Sequence, residues 1–160
     1  MTQSNDNILH IIYCYYFTKM EVINLAKQIV DFNASVPSNF SQSLNRPLPA
    51  APANITLAAF GLAVLEPGTN VLLIGTAEFT ASLGAPQIVI RIFRNTAVIG
   101  TVRVETLALN EVRNTTFQIV DLNAPVGYHS YKFTAEVTNS LITNQASAVG
   151  PITFSGTSIL

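Results

Sequence analysis

From residue 54 onward, apolar and polar positions alternate in short runs broken by turn residues. Strict alternation places successive side chains on opposite faces of an extended strand. NITLAAFGLAVL (54–65) ends at the turn EPGTN. In NVLLIGTAEFTAS (70–82), Val71, Leu73, Ala77 and Phe79 share one face and Thr76, Glu78 and Thr80 the other. QIVIRIFR (87–94) sets Ile88, Ile90 and Ile92 against Arg91. After the turn RNTAVIG, TVRVETLAL (101–109) sets Val102 and Val104 against Arg103 and Glu105. TTFQIVDL (115–122) alternates less cleanly, and YHSYKFTAEV (128–137) alternates well. The polar loop TNSLITNQAS leads to a last strand, AVGPITFSGTSIL. One wet and one buried face per strand is the habit of antiparallel sheets. Seven to ten such strands at this spacing predict an all-β sandwich of two antiparallel sheets.

Before residue 54 the pattern differs. ILHIIYCYYF (8–17) is a continuous apolar run. MEVINLAKQIVDF (20–32) has polar positions at Glu21, Asn24, Gln28 and Asp31, a spacing that predicts a helical stripe, although the segment is rich in β-branched residues. NASVPSNFSQSLNRPLPAAPA (33–53) carries Pro37, Pro47, Pro49 and Pro52 and reads as an extended linker. Two parts follow: an N-terminal arm or connector over 1–53 and a β domain over 54–160. A chain begun at Met20 would lack the first nineteen residues.

Composition narrows the function. Of 160 residues, 49% are apolar and 11% charged, against about 25% charged in an average soluble protein. So few charges cover a domain's surface poorly, which predicts burial against other copies. The formal net charge of −1 offers no basic footprint for nucleic acid. Cys14 is the single cysteine, which excludes an intrachain disulfide and a cysteine-based metal cluster; an interchain disulfide through the arm stays open, and a free thiol is the simpler expectation. The run 8–17 is too short to span a bilayer and lacks the flanks of a signal peptide, so neither leader nor anchor is expected. Four Asn-X-Ser/Thr triplets occur, at Asn33, Asn39, Asn54 and Asn114; with no secretory signal expected, chance in an Asn- and Thr-rich chain is their simplest reading.

His129 is the candidate for chemistry. It begins the apolar face of YHSYKFTAEV, shared with Tyr131, Phe133, Ala135 and Val137. A general base needs an orienting carboxylate and a nucleophile in reach. Asp121 is the nearest carboxylate in sequence, and no G-x-S-x-G elbow presents a serine. The expectation is a hydrogen-bonded structural histidine, no catalytic residues and no enzyme activity. His10 lies far from His129 and the carboxylates are dispersed, so no metal or cofactor is expected, a ligand set on a symmetry axis remaining open. Phosphate-loop and dinucleotide glycine spacings are absent. Apolar strands can also enclose a lipid-like ligand; a solid core is the simpler expectation.

The turn and strand APVGYHSYKFTAEV, followed by the closing VGPITFSGTSIL, resembles the jelly-roll heads of the tumour necrosis factor and complement type. The likeness covers about residues 54–160. With a charge-poor, Thr/Asn/Ala-rich β domain and a proline-rich arm, the chain is similar to bacterial spore-surface proteins: exosporium filament heads and endospore appendage fibre subunits. It departs from the first in having no Gly-X-Y tract, and NRPLPAAPA only faintly echoes an exosporium leader. The resemblance implies trimers around an apolar axis, on a cell or spore surface, joined head to tail into a fibre. The implied self-assembly arm comprises Ile8, Ile11, Ile12, Tyr13, Tyr15, Tyr16, Phe17, Val22, Leu25, Ile29 and Phe32. The implied partners are the chain itself and other spore-surface proteins, with no nucleic acid and no membrane insertion. The alternative is a non-polymerising trimeric binding head.

Overall fold

The computed structural model describes residues 27–105, 108–138 and 144–160. Among the described residues nine strands run in chain order: β1 (Ile29–Ser38), β2 (Arg46–Pro47), β3 (Ile55–Val64), β4 (Asn70–Leu83), β5 (Gln87–Arg94), β6 (Ala97–Glu105), β7 (Val112–Asp121), β8 (Gly127–Val137) and β9 (Gln145–Ile159). One sheet has the order β1-β9-β4-β7, with β2 paired to the start of β9; the other has the order β3-β8-β5-β6. Every ladder between named strands is antiparallel. Except for the β5–β6 hairpin, each strand from β3 onward crosses to the opposite sheet from the one before it. That winding is a jelly roll.

The alternating runs land as the sequence implies. Leu73, Phe79, Ile88, Ile90, Ile92, Tyr131 and Phe133 are fully buried between the sheets. Phe154 is the hub of an aromatic cluster, 4.9 Å from Phe60 and 5.2 Å from Phe133 between ring centroids. Phe117 meets Phe133 edge-on at 5.4 Å. Two glycines make room for these rings. A Cβ on Gly75 would overlap the Phe117 ring beside it on β7, and one on Gly156 would overlap Phe60.

Three readings need correction. Within the stretch expected to be helical, residues 29–32 belong to strand β1, and residues 20–26 lie outside the described residues. The β-branched Ile29 and Val30 suit a strand, and the free edge of β9 supplies the backbone partners that a lone helix lacks. The boundary near residue 53 does not mark the start of β structure, since β1 and β2 are both laid on β9. Pro47 is tolerated because β2 is a two-residue edge piece. Finally, β6 begins at Ala97 and β7 at Val112, earlier than the alternation alone suggests. The β5–β6 turn is only two residues long, with Asn95 at φ 53°. Asparagine accepts that left-handed conformation at little cost.

Candidate assembly interface

Register and burial define the outer face of the β1-β9-β4-β7 sheet. Phe32, Thr157, Leu72 and Val120 form one row across it, and Ala34, Ser155, Ile74 and Gln118 the next. Ile29 pairs with Ile159 above them. Ile29 is 71% exposed, Phe32 61%, Val120 47% and Ile74 42%. The face continues through Thr153, Thr76 and Thr116. Among the described residues in these rows, the one ionisable side chain is Glu78, and that carboxylate is covered. Ser41 Oγ lies 2.7 Å from both Glu78 oxygens, and the Gln42 N–H donates to Oε2 at 3.0 Å. An exposed, uncharged, partly apolar sheet face is a surface fit for burial against another protein surface.

The edges of the sandwich differ. At the β1–β3 side, Asp31 Oδ1 accepts the Phe32 N–H and Oδ2 accepts the Ala63 N–H of β3, both at 2.8 Å. Asn33 repeats the device: Oδ1 accepts the Ala34 N–H and Nδ2 donates to Gly61 O, again at 2.8 Å. Farther along β3, Arg46 donates to Thr56 O at 2.8 Å and Leu57 O at 3.3 Å. Side chains thus occupy backbone groups that a new strand would need. At the other side, β6 and β7 face each other with few contacts and share no ladder.

His129 sits at one end of the sandwich in a structural network. Its Nε2–H donates to Pro125 O at 2.6 Å, which leaves Nδ1 to accept from Asn95 Nδ2 at 3.1 Å. Asn95 Oδ1 accepts the Ser130 N–H at 2.9 Å, tying the β5–β6 turn to β8. Nearby, Arg94 Nη1 donates to both oxygens of Asp121 at 2.7 and 2.8 Å, and the Tyr131 hydroxyl donates to Oδ2 at 2.9 Å. Burial, reinforced by the hydrogen bond to the Asp121 carboxylate and its charge, pushes the Tyr131 hydroxyl above its ordinary range, against a smaller opposing effect of Arg94. Asp121, legible in the sequence only as the nearest carboxylate to His129, is therefore spent on Arg94 and Tyr131. The two ring nitrogens of His129 are held by Pro125 O and Asn95 Nδ2 instead.

On the outer face of the other sheet, Thr134 and Glu136 are buried although alternation assigns them to the wet side. Arg91 pairs with Glu136 at 2.6 Å there. A cleft of about 580 Å³ opens beside β2, lined by Pro47, Leu48, Ser82, Val137 and Ser147. Among the described residues, no three His, Cys, Asp or Glu side chains are grouped to hold a metal. No helix among them is long and apolar enough to cross a membrane.

Of the eleven arm residues, Ile29 and Phe32 are placed, both on β1 and both exposed on the uncharged face. Ile8, Ile11, Ile12, Tyr13, Tyr15, Tyr16, Phe17, Val22 and Leu25 lie outside the described residues. Sequence reading missed Asp31 and Asn33. Their signal was an alternation of polar residues with Phe32 and Ala34, hidden by the competing helical spacing.

No family model and no curated protein matches the chain in sequence. Its fold is similar to that of solved jelly rolls. A chain of the T=1 particles derived from infectious bursal virus is 14% identical, with 82% of this chain and 31% of that one aligned at a TM-score of 0.55. A chain of the T13 particle of infectious bursal disease virus is 13% identical over the same shares, at 0.50. An Eiger tumour necrosis factor from S. frugiperda aligns with 81% of this chain and 93% of its own at 11% identity and a TM-score of 0.49. The chain spans about a third of the length of the viral chains it matches. At such identities the likeness shows the fold alone: this is an antiparallel jelly-roll module.

Proposed function

We propose that the chain is a structural protein, a self-assembling subunit of a bacterial surface fibre on a cell or spore. The observation that carries this reading is the uncharged outer face of the β1-β9-β4-β7 sheet, on which Ile29, Phe32, Ile74 and Val120 stand exposed. Burying such a face against other copies removes apolar area from water at about 25 cal/mol per Å². In this reading jelly rolls associate as trimers, and the apolar arm residues preceding β1 bridge to the next subunit, giving the second contact that a filament requires. No catalytic step is assigned to it.

Electron microscopy of the purified full chain tests the proposal. Filaments are the expected result; discrete particles at every concentration would refute it. Deleting residues 1–26, which keeps β1 and β2 in their sheet, is expected to leave discrete oligomers that no longer elongate. Discrete trimers of the full chain, with saturable binding to a surface glycan or receptor, would favour a binding head instead.

A further inference from the structure

The two sides of the sandwich are not equivalent, and the open side carries a self-complementary strand. On the β1–β3 side, Asp31, Asn33 and Arg46 occupy edge groups of β1 and β3. On the other side stand β6 and β7. The edge strand β6 bears the charges Arg103 and Glu105, both exposed, and the β5–β6 ladder has a register shift near Ile92. Charges and bulges of this kind discourage strand addition. Its neighbour β7 has no bulge, and its two charged residues, Arg113 and Asp121, sit toward its ends, each paired within its own chain to Glu111 and Arg94. It pairs with β4 through ten successive residues, Asp121 to Val112, without a shift. Among the described residues no strand occupies its other edge.

The outward residues of β7 are Val112, Asn114, Thr116, Gln118 and Val120, all exposed. Read in either direction, that series is apolar, amide, threonine, amide, apolar. We propose that β7 pairs with β7 of a second copy, antiparallel, with Thr116 on the two-fold axis. Val112 then opposes Val120 of the other copy, Asn114 opposes Gln118, and Thr116 opposes itself. An isologous contact demands this self-complementarity. Side-chain pairs directly across two strands are the unit of sheet stabilisation, and threonine on threonine is one of the favourable pairs. The two acids next to this series, Glu111 and Asp121, are each paired with an arginine of their own chain, Arg113 and Arg94. The pairing joins two four-strand paths, β1-β9-β4-β7, into one continuous sheet and makes their uncharged outer faces contiguous. This contact goes beyond the assembly reading, because it needs neither the arm nor a filament.

Cross-linking tests it on the full chain in a Cys14→Ser background, which removes the one natural thiol. Opposed residues of an antiparallel pair have Cα atoms about 4.5–5.5 Å apart, within the reach of a disulfide at about 4.4–6.8 Å. Thr116→Cys is therefore expected to give a covalent dimer under mild oxidation or with a short bismaleimide. Asn114→Cys alone is expected to give none, because its own copy lies four residues away along the partner strand, on the order of 13 Å. Mixing Asn114→Cys with Gln118→Cys is expected to restore the dimer, and it reads the same register without altering Thr116. A folded Thr116→Cys chain that does not link, or equal linking by Asn114→Cys alone, would overturn the proposal. Filaments without the Thr116 link would remove this contact and leave self-assembly standing. Linked dimers that never elongate would do the reverse.

Discussion

Asp31 and Ala63 join two strand edges that belong to different sheets: one carboxylate oxygen of Asp31 accepts the Ala63 N–H of β3 while the other accepts the N–H of Phe32 in its own strand. A short side chain thereby closes the side of the sandwich where β1 and β3 run together. Because the acceptor is a carboxylate, each bond is of the stronger, charge-assisted kind.

The first prediction follows from those bonds. Asp31→Ala leaves two edge N–H groups without their partner and is expected to cost about 2 kcal/mol. Asp31→Asn keeps the shape but turns a donor toward one of the two N–H groups, so it is expected to cost nearly as much. Urea denaturation at unchanged slope measures both. If Asp31→Asn behaves as wild type, the closure rests on packing and not on hydrogen bonding. Both variants are also expected to associate less specifically, seen as heterogeneous species by sedimentation, since the β1–β3 edges become available.

Tyr131 gives a pH dependence with a definite sign. Burial first, and then the bond to Asp121, raises the hydroxyl above its ordinary value in the folded state. The folded chain therefore keeps this proton after the unfolded chain has begun to lose it near pH ~10. The stabilisation is complete below that pH and is lost as pH rises toward the folded value, at about 1.4 kcal/mol per pH unit. Tyr131→Phe lacks the hydrogen bond, worth about 1.5–3 kcal/mol because the acceptor is charged. It also lacks the alkaline loss. The stability gap between wild type and Tyr131→Phe is thus expected to hold from pH 7 to 9 and to narrow above 10. Urea midpoints of the two proteins along that series measure it, and a gap that widens at high pH would contradict the assignment.

His129 is held at both ring nitrogens, by Pro125 O and by Asn95 Nδ2. Truncation to alanine removes both contacts and leaves a void, for an expected loss of about 2–3 kcal/mol. An asparagine reaches about as far as Nδ1 and a glutamine about as far as Nε2, so each is expected to recover part of the loss through one contact. Thermal denaturation of the three variants decides this. A neutral His129→Ala would show that the network does not fix the turn from Pro125 to Gly127.

Most of the sandwich was legible because its strands alternate: Ile88, Ile90 and Ile92 against Arg91, or Tyr131 and Phe133 against Lys132, can be satisfied by few other arrangements. β1 was not legible for the opposite reason. Its edge position leaves Ile29 and Phe32 exposed while Asp31 and Asn33 turn toward β3, so burial does not sort its residues by polarity. A bulge between Ile29 and Asp31 shifts the phase further. Glu78 misleads in the same way. The alternation of β4 puts it on the wet face, and only the tertiary approach of Ser41, thirty-seven residues away, covers it. The uncharged face of the β1-β9-β4-β7 sheet was visible in composition as a shortage of charge. It was not visible as a place, because its rows combine strands that are distant in sequence.

That face supplies the last prediction. Ile74 stands near its centre, between Ser155 of β9 and Gln118 of β7, with its side chain in water. Ile74→Lys puts an exposed charge there without touching the core, so the fold is expected to keep its stability within about 0.5 kcal/mol. Association through the face is a different matter, because every copy then brings a desolvation penalty and a like charge to the contact. In the proposed assembly the parent is expected to form higher oligomers, and the variant is expected to lose them at the same concentration. Val98→Lys serves as the control. Val98 is at least as exposed but lies on β6 of the other sheet, so the same added charge is expected to leave association through the face unchanged. Sedimentation velocity across a concentration series separates the outcomes. Equal loss from both variants would mean that net charge, and not this face, governs association; no loss from Ile74→Lys would mean that the copies meet elsewhere.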